Sequence, residues 1–174
     1  ARVLVCCVEL CSLHFSYDAN PERHVANALF ADGAAAAVIG QPAQSEQHLH
    51  PAIAGFASTL IPDTTPLMNW TIGDHGFEMR LSPKVPARLA EFVPAWIKSF
   101  IESENMSPGD ITAGAIHPGG PRVLSSLTRA LRLPPGSDAA SRAVLAEHGN
   151  MSSATVLFII DRLLRSRPAG RAHT

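Results

Sequence analysis

Two short stretches of this sequence hold residues whose types and spacing suit the stabilisation of an oxygen that gains negative charge. The first is Ile116-His117-Pro118-Gly119-Gly120-Pro121, and the second is Gly149-Asn150-Met151-Ser152-Ser153-Ala154. Each is read as the place where an extended segment or loop meets a helix. They supply an imidazole and a carboxamide, two neutral hydrogen-bond donors, and such a pair stabilises an oxygen that gains negative charge during a reaction. The glycines after His117 let the backbone approach a ligand closely, and the helix that follows offers free N–H groups to it. The bland alternatives are a structural histidine and an asparagine N-cap. A cap accounts for Asn150 but not for Gly149 before it or the Ser152-Ser153-Ala154 run after it. A shared role predicts that both side chains face one cavity.

The elements that must position these residues alternate between strand and helix. Residues 3–9 are apolar and rich in β-branched side chains, which predicts a strand buried on both faces. Val25 to Phe30 leads into Ala31-Asp32-Gly33, which turns the chain into a small-residue strand over 34–40. Four consecutive alanines in a strand point to closely packed neighbours. Residues 41–49 hold Pro, Gln, Ser and His with almost no apolar content and read as a linker. Further strands are expected over 52–60 and roughly 76–81, flanking a Pro- and Asp-rich loop at 62–69. Leu89, Phe92, Val93, Trp96, Ile97, Phe100 and Ile101 recur at the spacing of a buried helix face, and Pro94 predicts a kink or two consecutive helices. Ser107-Pro108-Gly109-Asp110 reads as a turn and residues 111–116 as a short strand. Pro121 suits the first turn of a helix with Val123, Leu124, Leu127 and Leu131 inward. A short helix over 139–148, a last helix over 151–165 and a frayed tail complete an α/β chain.

A chain of 174 residues can bury a core, and its 46% apolar and 17% charged content reads as globular. A net charge of -1 without a basic block argues against a nucleic-acid surface. The apolar runs are too short to span a bilayer, and the opening reads as a strand and not as a signal peptide, so no membrane partner is expected. Cys6, Cys7 and Cys11 crowd one strand end; an odd count with two adjacent fits free thiols in a reducing, cytoplasmic compartment. Cys6 and Cys7 read as buried strand residues. Cys11 with His14 alone is too little for zinc, so no metal is expected. His48 and His50 read as solvated linker residues.

The spelling of the two motifs, in this order, resembles the type III polyketide synthases (the chalcone synthase family). Leu29-Phe30-Ala31-Asp32-Gly33-Ala34-Ala35-Ala36 is similar to that family's Leu-Phe-Gly-Asp-Gly-Ala-Ala-Ala, with Ala31 in place of a glycine. The likeness runs from Ala1 to about Arg165. It implies a thiolase-like fold, five layers (αβαβα) in the full protein. Residues 1–40 would end the first half, 41–50 link, 51–165 form most of the second half, and 166–174 be a tail. The family's nucleophilic Cys is expected upstream of Ala1, and its Gly-Phe-Gly-Pro-Gly loop beyond Thr174.

The same resemblance implies the roles. His117 donates to a thioester carbonyl and shares a proton with the Cys, while Asn150 donates to the thioester oxygen of malonyl-CoA as CO2 leaves. Phe30 is the gatekeeper aromatic between the CoA tunnel and the cavity; Met79 falls where a second gatekeeper aromatic usually stands and softens the entry. Cys11 and His14 fall where the family tunes cavity size, a combination akin to bacterial members making naphthalene- or pyrone-type products. Gly119, Gly120 and Ser152 join them along the substrate path. Ser152 and Ser153 are expected to cap or support and not to act as nucleophiles, since no base or elbow motif accompanies them. The implied function is an acyltransferase that decarboxylates malonyl-CoA and condenses it onto an acyl-CoA-derived starter. It would use CoA thioesters as substrates, no cofactor, and a homodimeric full protein; the chain alone is expected to be inactive. The alternatives are a ketoacyl-ACP synthase III-like condensing enzyme, whose usual His-Gln-Ala-Asn and Gly-Asn-Thr-Ser differ from the motifs here, and a non-catalytic interaction fragment.

Overall fold

The computed structural model describes residues 1–17, 20–42, 50–74 and 76–166. Strand β1 (Arg2–Glu9) pairs antiparallel with β2 (Gly33–Gly40), in a register running from Arg2↔Gly40 to Glu9↔Gly33. Between them lie a single 3-10 turn (Cys11–His14) and helix α1 (Pro21–Leu29). Asn20 starts α1 by accepting from Glu22 N at 2.9 Å, and Pro21 pre-sets the first helical φ. A second sheet is the antiparallel hairpin β3 (Met68–Gly73) and β4 (Gly76–Leu81). Helices α2 (Val85–Ser103), α3 (Pro121–Ala130), α4 (Ala139–His148) and α5 (Ser153–Arg165) follow.

The core sits where α5 lies on the β1–β2 pair and meets α4. Val144, Met151, Ala154 and Ile159 form its buried centre, with Cys7 and Ala35 packed against them. Small side chains on β2 let the helix come close, as the alanine run predicts. Burying Ile159 completely contributes about 1.5–3 kcal/mol. Leu124, also fully buried, anchors α3, and α3 packs against α2, the helix of the apolar stripe. That stripe forms one helix that continues through Pro94, where a kink or break is expected from sequence. The missing N–H removes one intrahelical bond, and packing along the rest of the apolar face carries the helix past it.

Asp138 is 5% exposed and ties α3 to α4. It accepts from Thr128 Oγ1 at 2.9 Å and from Arg142 Nε at 2.9 Å. Burial by itself would raise the Asp138 carboxyl; the hydrogen bonds from Arg142 and Thr128, with the guanidinium charge, outweigh it and hold the pKa below 3.8.

Several sequence expectations fail, for one physical reason. Val5, Cys7 and Glu9 are half-buried on the side that α5 covers, but Leu4, Cys6 and Val8 are exposed. β1 is thus apolar on both faces yet covered on one, and Cys6 and Cys7 are not the buried pair expected. Residues 52–60 form no strand, and Phe56 and Leu60 are 92% and 93% exposed. Residues 111–116 are likewise irregular. Extended apolar segments become strands only beside a partner ladder, and among the described residues none adjoins them. Conversely β3 occupies the end of the expected loop and the residues beyond it. The 3-10 turn at Pro108–Asp110 agrees with the turn read there. Most of the linker (43–49) and of the tail (167–174) lies outside the described residues, including His48.

Candidate active site

The Asn150 loop is built by backbone first. Asn150 N donates to Leu29 O at 2.9 Å, and Ala31 N donates to Asn150 O at 2.9 Å. This parallel bridge across Phe30 fastens the α4–α5 connection to the end of α1. Gly149 closes α4 with φ +76°, and a Cβ there would lie 3.0 Å from Ala31 Cβ and 3.3 Å from Leu29 O. Only glycine meets both demands. On the other side Met151 packs onto Gly33 so tightly that a Cβ on Gly33 would be 2.6 Å from Met151 Cβ.

Asn150 itself is 2% exposed, and its Oδ1 accepts from Ser152 N at 2.9 Å. That bond fixes which end of the amide is which: the acceptor is used locally, and Nδ2 has no partner among the described residues. The arrangement is an Asx turn, since the helix begins one residue later with Ser152 in the cap position. Asn150 therefore does not cap α5. Ser152 adopts φ 49° and ψ -121°, a conformation that costs a residue with a side chain about 1–3 kcal/mol. Glu9, at the end of β1, accepts from Ser153 N at 3.3 Å and takes a short bond from Ser153 Oγ.

His117 precedes a tight turn in which Gly119 N donates to His117 O at 3.0 Å. Pro118 is fully buried, and Gly120 takes φ +146°, with Leu29 Cδ2 3.6 Å from where a Cβ would stand. The histidine as a whole is exposed, but desolvation of its ring by partial burial holds its pKa below 6.5. It is therefore mainly neutral at pH 7. The His117 and Asn150 loops thus both approach Leu29: Gly120 stands beside its side chain, and Asn150 bonds its carbonyl.

A cavity of about 620 Å³ opens beside this junction. Its wall includes Cys11, His14, Phe30, Met79 and Ser152, five of the residues the resemblance implies. His117, Asn150, Gly119 and Gly120 are not among the residues of its wall. Sequence reasoning missed Glu9, Asn27, Trp70 and Phe77, which also line it. Trp70 lies directly opposite Met79 in the hairpin, and the His14 ring sits 4.8 Å from the Trp70 ring and 6.1 Å from Phe77. These rings thereby place aromatic surface beside Met79. The alternation of Trp70 and Ile72 before the Asp74 turn was the available signal. Arg23 Nη2 meets Glu78 Oε2 at 2.6 Å and ties this hairpin to α1.

Cys11 Sγ stands 3.8 Å from Ser152 Oγ, and all three cysteines are free thiols. Among the described residues no three His, Cys, Asp or Glu side chains converge as a metal site requires, and no helix is long and apolar enough to cross a membrane.

A family model described as chalcone and stilbene synthases, C-terminal domain, matches residues 52–173. The 1,3,6,8-tetrahydroxynaphthalene synthase of Streptomyces peucetius subsp. caesius is 39% identical over 163 residues, covering 92% of this chain and 43% of that protein. A putative chalcone synthase of Bacillus subtilis is 33% identical over 92% of this chain and 45% of its own length. The crystal structure of the Streptomyces coelicolor 1,3,6,8-tetrahydroxynaphthalene synthase, a bacterial type III polyketide synthase, superposes with a TM-score of 0.87 at 32% identity. It is matched over 96% of this chain and 47% of that one. The PKS-I structure of the brown alga Ectocarpus siliculosus gives 0.86 at 32% identity, over 94% of this chain and 44% of that one. This chain spans less than half the length of these relatives. With motifs, backbone and family model in agreement over most of its length, the chain belongs to the chalcone and stilbene synthase family, the type III polyketide synthases, and has their thiolase-like α/β fold.

Proposed function

We propose that this chain supplies the neutral donors of a polyketide-forming acyltransferase that decarboxylates malonyl-CoA and condenses it onto an acyl-CoA-derived starter. The observation that carries the reading is the locked carboxamide of Asn150, whose oxygen is held by Ser152 N while Nδ2 is left to donate. When malonyl thioester loses CO2, the electron pair of the breaking C–C bond forms an enolate, with negative charge on the thioester oxygen. A donor about 2.7–3.1 Å from that oxygen stabilises the developing charge. Asn150 carries no charge, and desolvation keeps His117 mainly neutral at pH 7, so the enolate is stabilised without being trapped as a tight ion pair. Its carbon then attacks the starter thioester, and a thiolate departs.

That thiolate belongs to a nucleophilic cysteine outside this chain, since Cys6, Cys7 and Cys11 lie on or just after β1, away from the family's nucleophile context. The substrates are acyl-CoA and malonyl-CoA, no cofactor takes part, and the working assembly is a cytoplasmic homodimer of the complete synthase.

The test is a synthase in which residues 1–166 replace the matching stretch of the Streptomyces peucetius relative. It is assayed with several acyl-CoA starters and malonyl-CoA, with products identified by mass. Asn150→Ala is expected to raise the decarboxylation barrier by about 3–4 kcal/mol. Unchanged CO2 release in a folded Asn150→Ala protein overturns the reading.

A further inference from the structure

We infer that Glu9 is a positioning residue for Asn150, acting through the first residues of α5 and not on substrate. This rests on the donor role proposed for Asn150.

The Asn150 to Ser153 turn is docked on two sides. One side is the backbone bridge to Leu29 and Ala31. The other is the end of the β1–β2 pair, where Glu9 and Gly33 stand directly opposite each other. Both members of that pair hold the turn: Gly33 receives the Met151 side chain, and Glu9 binds Ser153. Between these anchors lies Ser152, whose backbone is in an unfavourable conformation and whose N–H orients the Asn150 amide. An unfavourable turn persists only when its surroundings hold it.

Glu9 is suited to that work. It ends a strand that is apolar from Val3 to Val8, so β1 fixes its Cα. One carboxylate oxygen accepts from both Ser153 N and Ser153 Oγ. Negative charge at the N-terminus of the 13-residue α5 also interacts favourably with the helix dipole. No side chain caps this helix from the cap position, so Glu9 takes over that task from a distant strand. Releasing it frees Ser152 to leave its positive φ. The Ser152 N–H then turns away from Oδ1, and the carboxamide loses its fixed orientation.

Glu9 also lines the cavity, which makes direct action on substrate the competing explanation. Glutamine separates the two: it keeps an oxygen acceptor at the same reach and removes the charge. In the chain itself, amide hydrogen exchange is measured at Ser152, Ser153 and Ala154, together with the Asn150 Nδ2 resonances. Glu9→Ala should speed exchange at Ser152 about tenfold, the order of one lost charge-assisted hydrogen bond, and should shift the Nδ2 signals. Glu9→Gln should restore both. Faster exchange at Ser153 and Ala154 with Ser152 and Nδ2 unmoved would mean that Glu9 only caps the helix, and overturns the inference.

In the hybrid synthase Glu9→Ala should lower kcat for decarboxylation about tenfold with KM little changed, and add nothing in an Asn150→Ala background. If Glu9→Gln restores the exchange rates at Ser152 yet is as slow as Glu9→Ala, Glu9 acts on substrate through its charge and the positioning role fails. If Asn150→Ala itself leaves decarboxylation intact, the donor reading is what has failed, while the exchange result still decides whether Glu9 holds the carboxamide.

Discussion

Replacing Gly149 with alanine perturbs the backbone that delivers Asn150 in two separable ways. Gly149 has φ +76° and ψ -168°, a region nearly closed to residues with a Cβ, so the substitution carries about 1–3 kcal/mol of backbone strain. The new methyl also stands 3.0 Å from Ala31 Cβ and 3.3 Å from Leu29 O, closer than ordinary contact, so the bridge across Phe30 must open. Overpacking of this kind adds about 1–3 kcal/mol. The total, about 2–6 kcal/mol, is a large part of the stability of a small domain. Gly136 provides the control, because it has φ +84° and nothing within 4 Å of its built Cβ. Alanine there suffers strain without crowding, about 1–2 kcal/mol. Urea unfolding at constant m gives both costs. Gly149→Ala should exceed Gly136→Ala by at least about 1 kcal/mol, and Ala31→Gly should recover much of the excess by removing the nearer contact. Equal costs at the two glycines, with no recovery from Ala31→Gly, would show that the close approach of these loops is not what requires glycine.

Other expectations are smaller in scope. Asp138→Asn should lower stability by about 2 kcal/mol near neutrality, since it leaves Arg142 and Thr128 without their carboxylate. Because the folded pKa is depressed, this contribution is complete above 3.8 and is lost as pH falls through the lower folded value; a cost that persists unchanged in stronger acid contradicts the assignment. The His117 ring should titrate by NMR below 6.5. Between that midpoint and 6.5 the unfolded chain binds more protons, so stability rises with pH there and His117→Gln flattens the rise; a midpoint at or above 6.5 refutes the desolvation argument. The chain alone should not condense malonyl-CoA, and turnover that survives changing Cys6, Cys7 and Cys11 to serine would show that no outside cysteine is needed. Exposed Val3, Leu4, Val8 and Val38 should make the isolated chain self-associate at micromolar concentration in sedimentation, and Leu4→Lys with Val8→Lys should reduce it; a cooperative wild-type monomer overturns this.

Helices were legible because their ends are written locally. Residues 139–148 read as a helix and form one, with Gly149 stopping it by a conformation that glycine adopts easily. Pro121 likewise marks the start of α3, and Val123, Leu124 and Leu127 are buried as their spacing predicts. Strands were less legible, since a strand is completed by a partner elsewhere. The apolar pattern of residues 52–60 states what those side chains would bury and says nothing about whether a ladder lies beside them. β1 makes the same point more finely: its two apolar faces are real, yet α5 covers only one.

The site divides along a similar line. Cys11, His14, Phe30, Met79 and Ser152 come together around one cavity although they lie far apart in sequence, which only the family resemblance had implied. Trp70 and Phe77 escaped notice because their contribution depends on cross-strand register. Trp70 matters through being opposite Met79, a relation that exists only once the hairpin closes from Gly73 to Gly76. Glu9 escaped for the opposite reason. A carboxylate ending an apolar strand reads as the point where the strand meets water, and the local pattern was right about that. What the pattern cannot contain is the partner, Ser153, reached only because α5 returns across β1. Motifs therefore mark the groups that touch chemistry, whereas the groups that aim them are found by following hydrogen bonds outward from the motif.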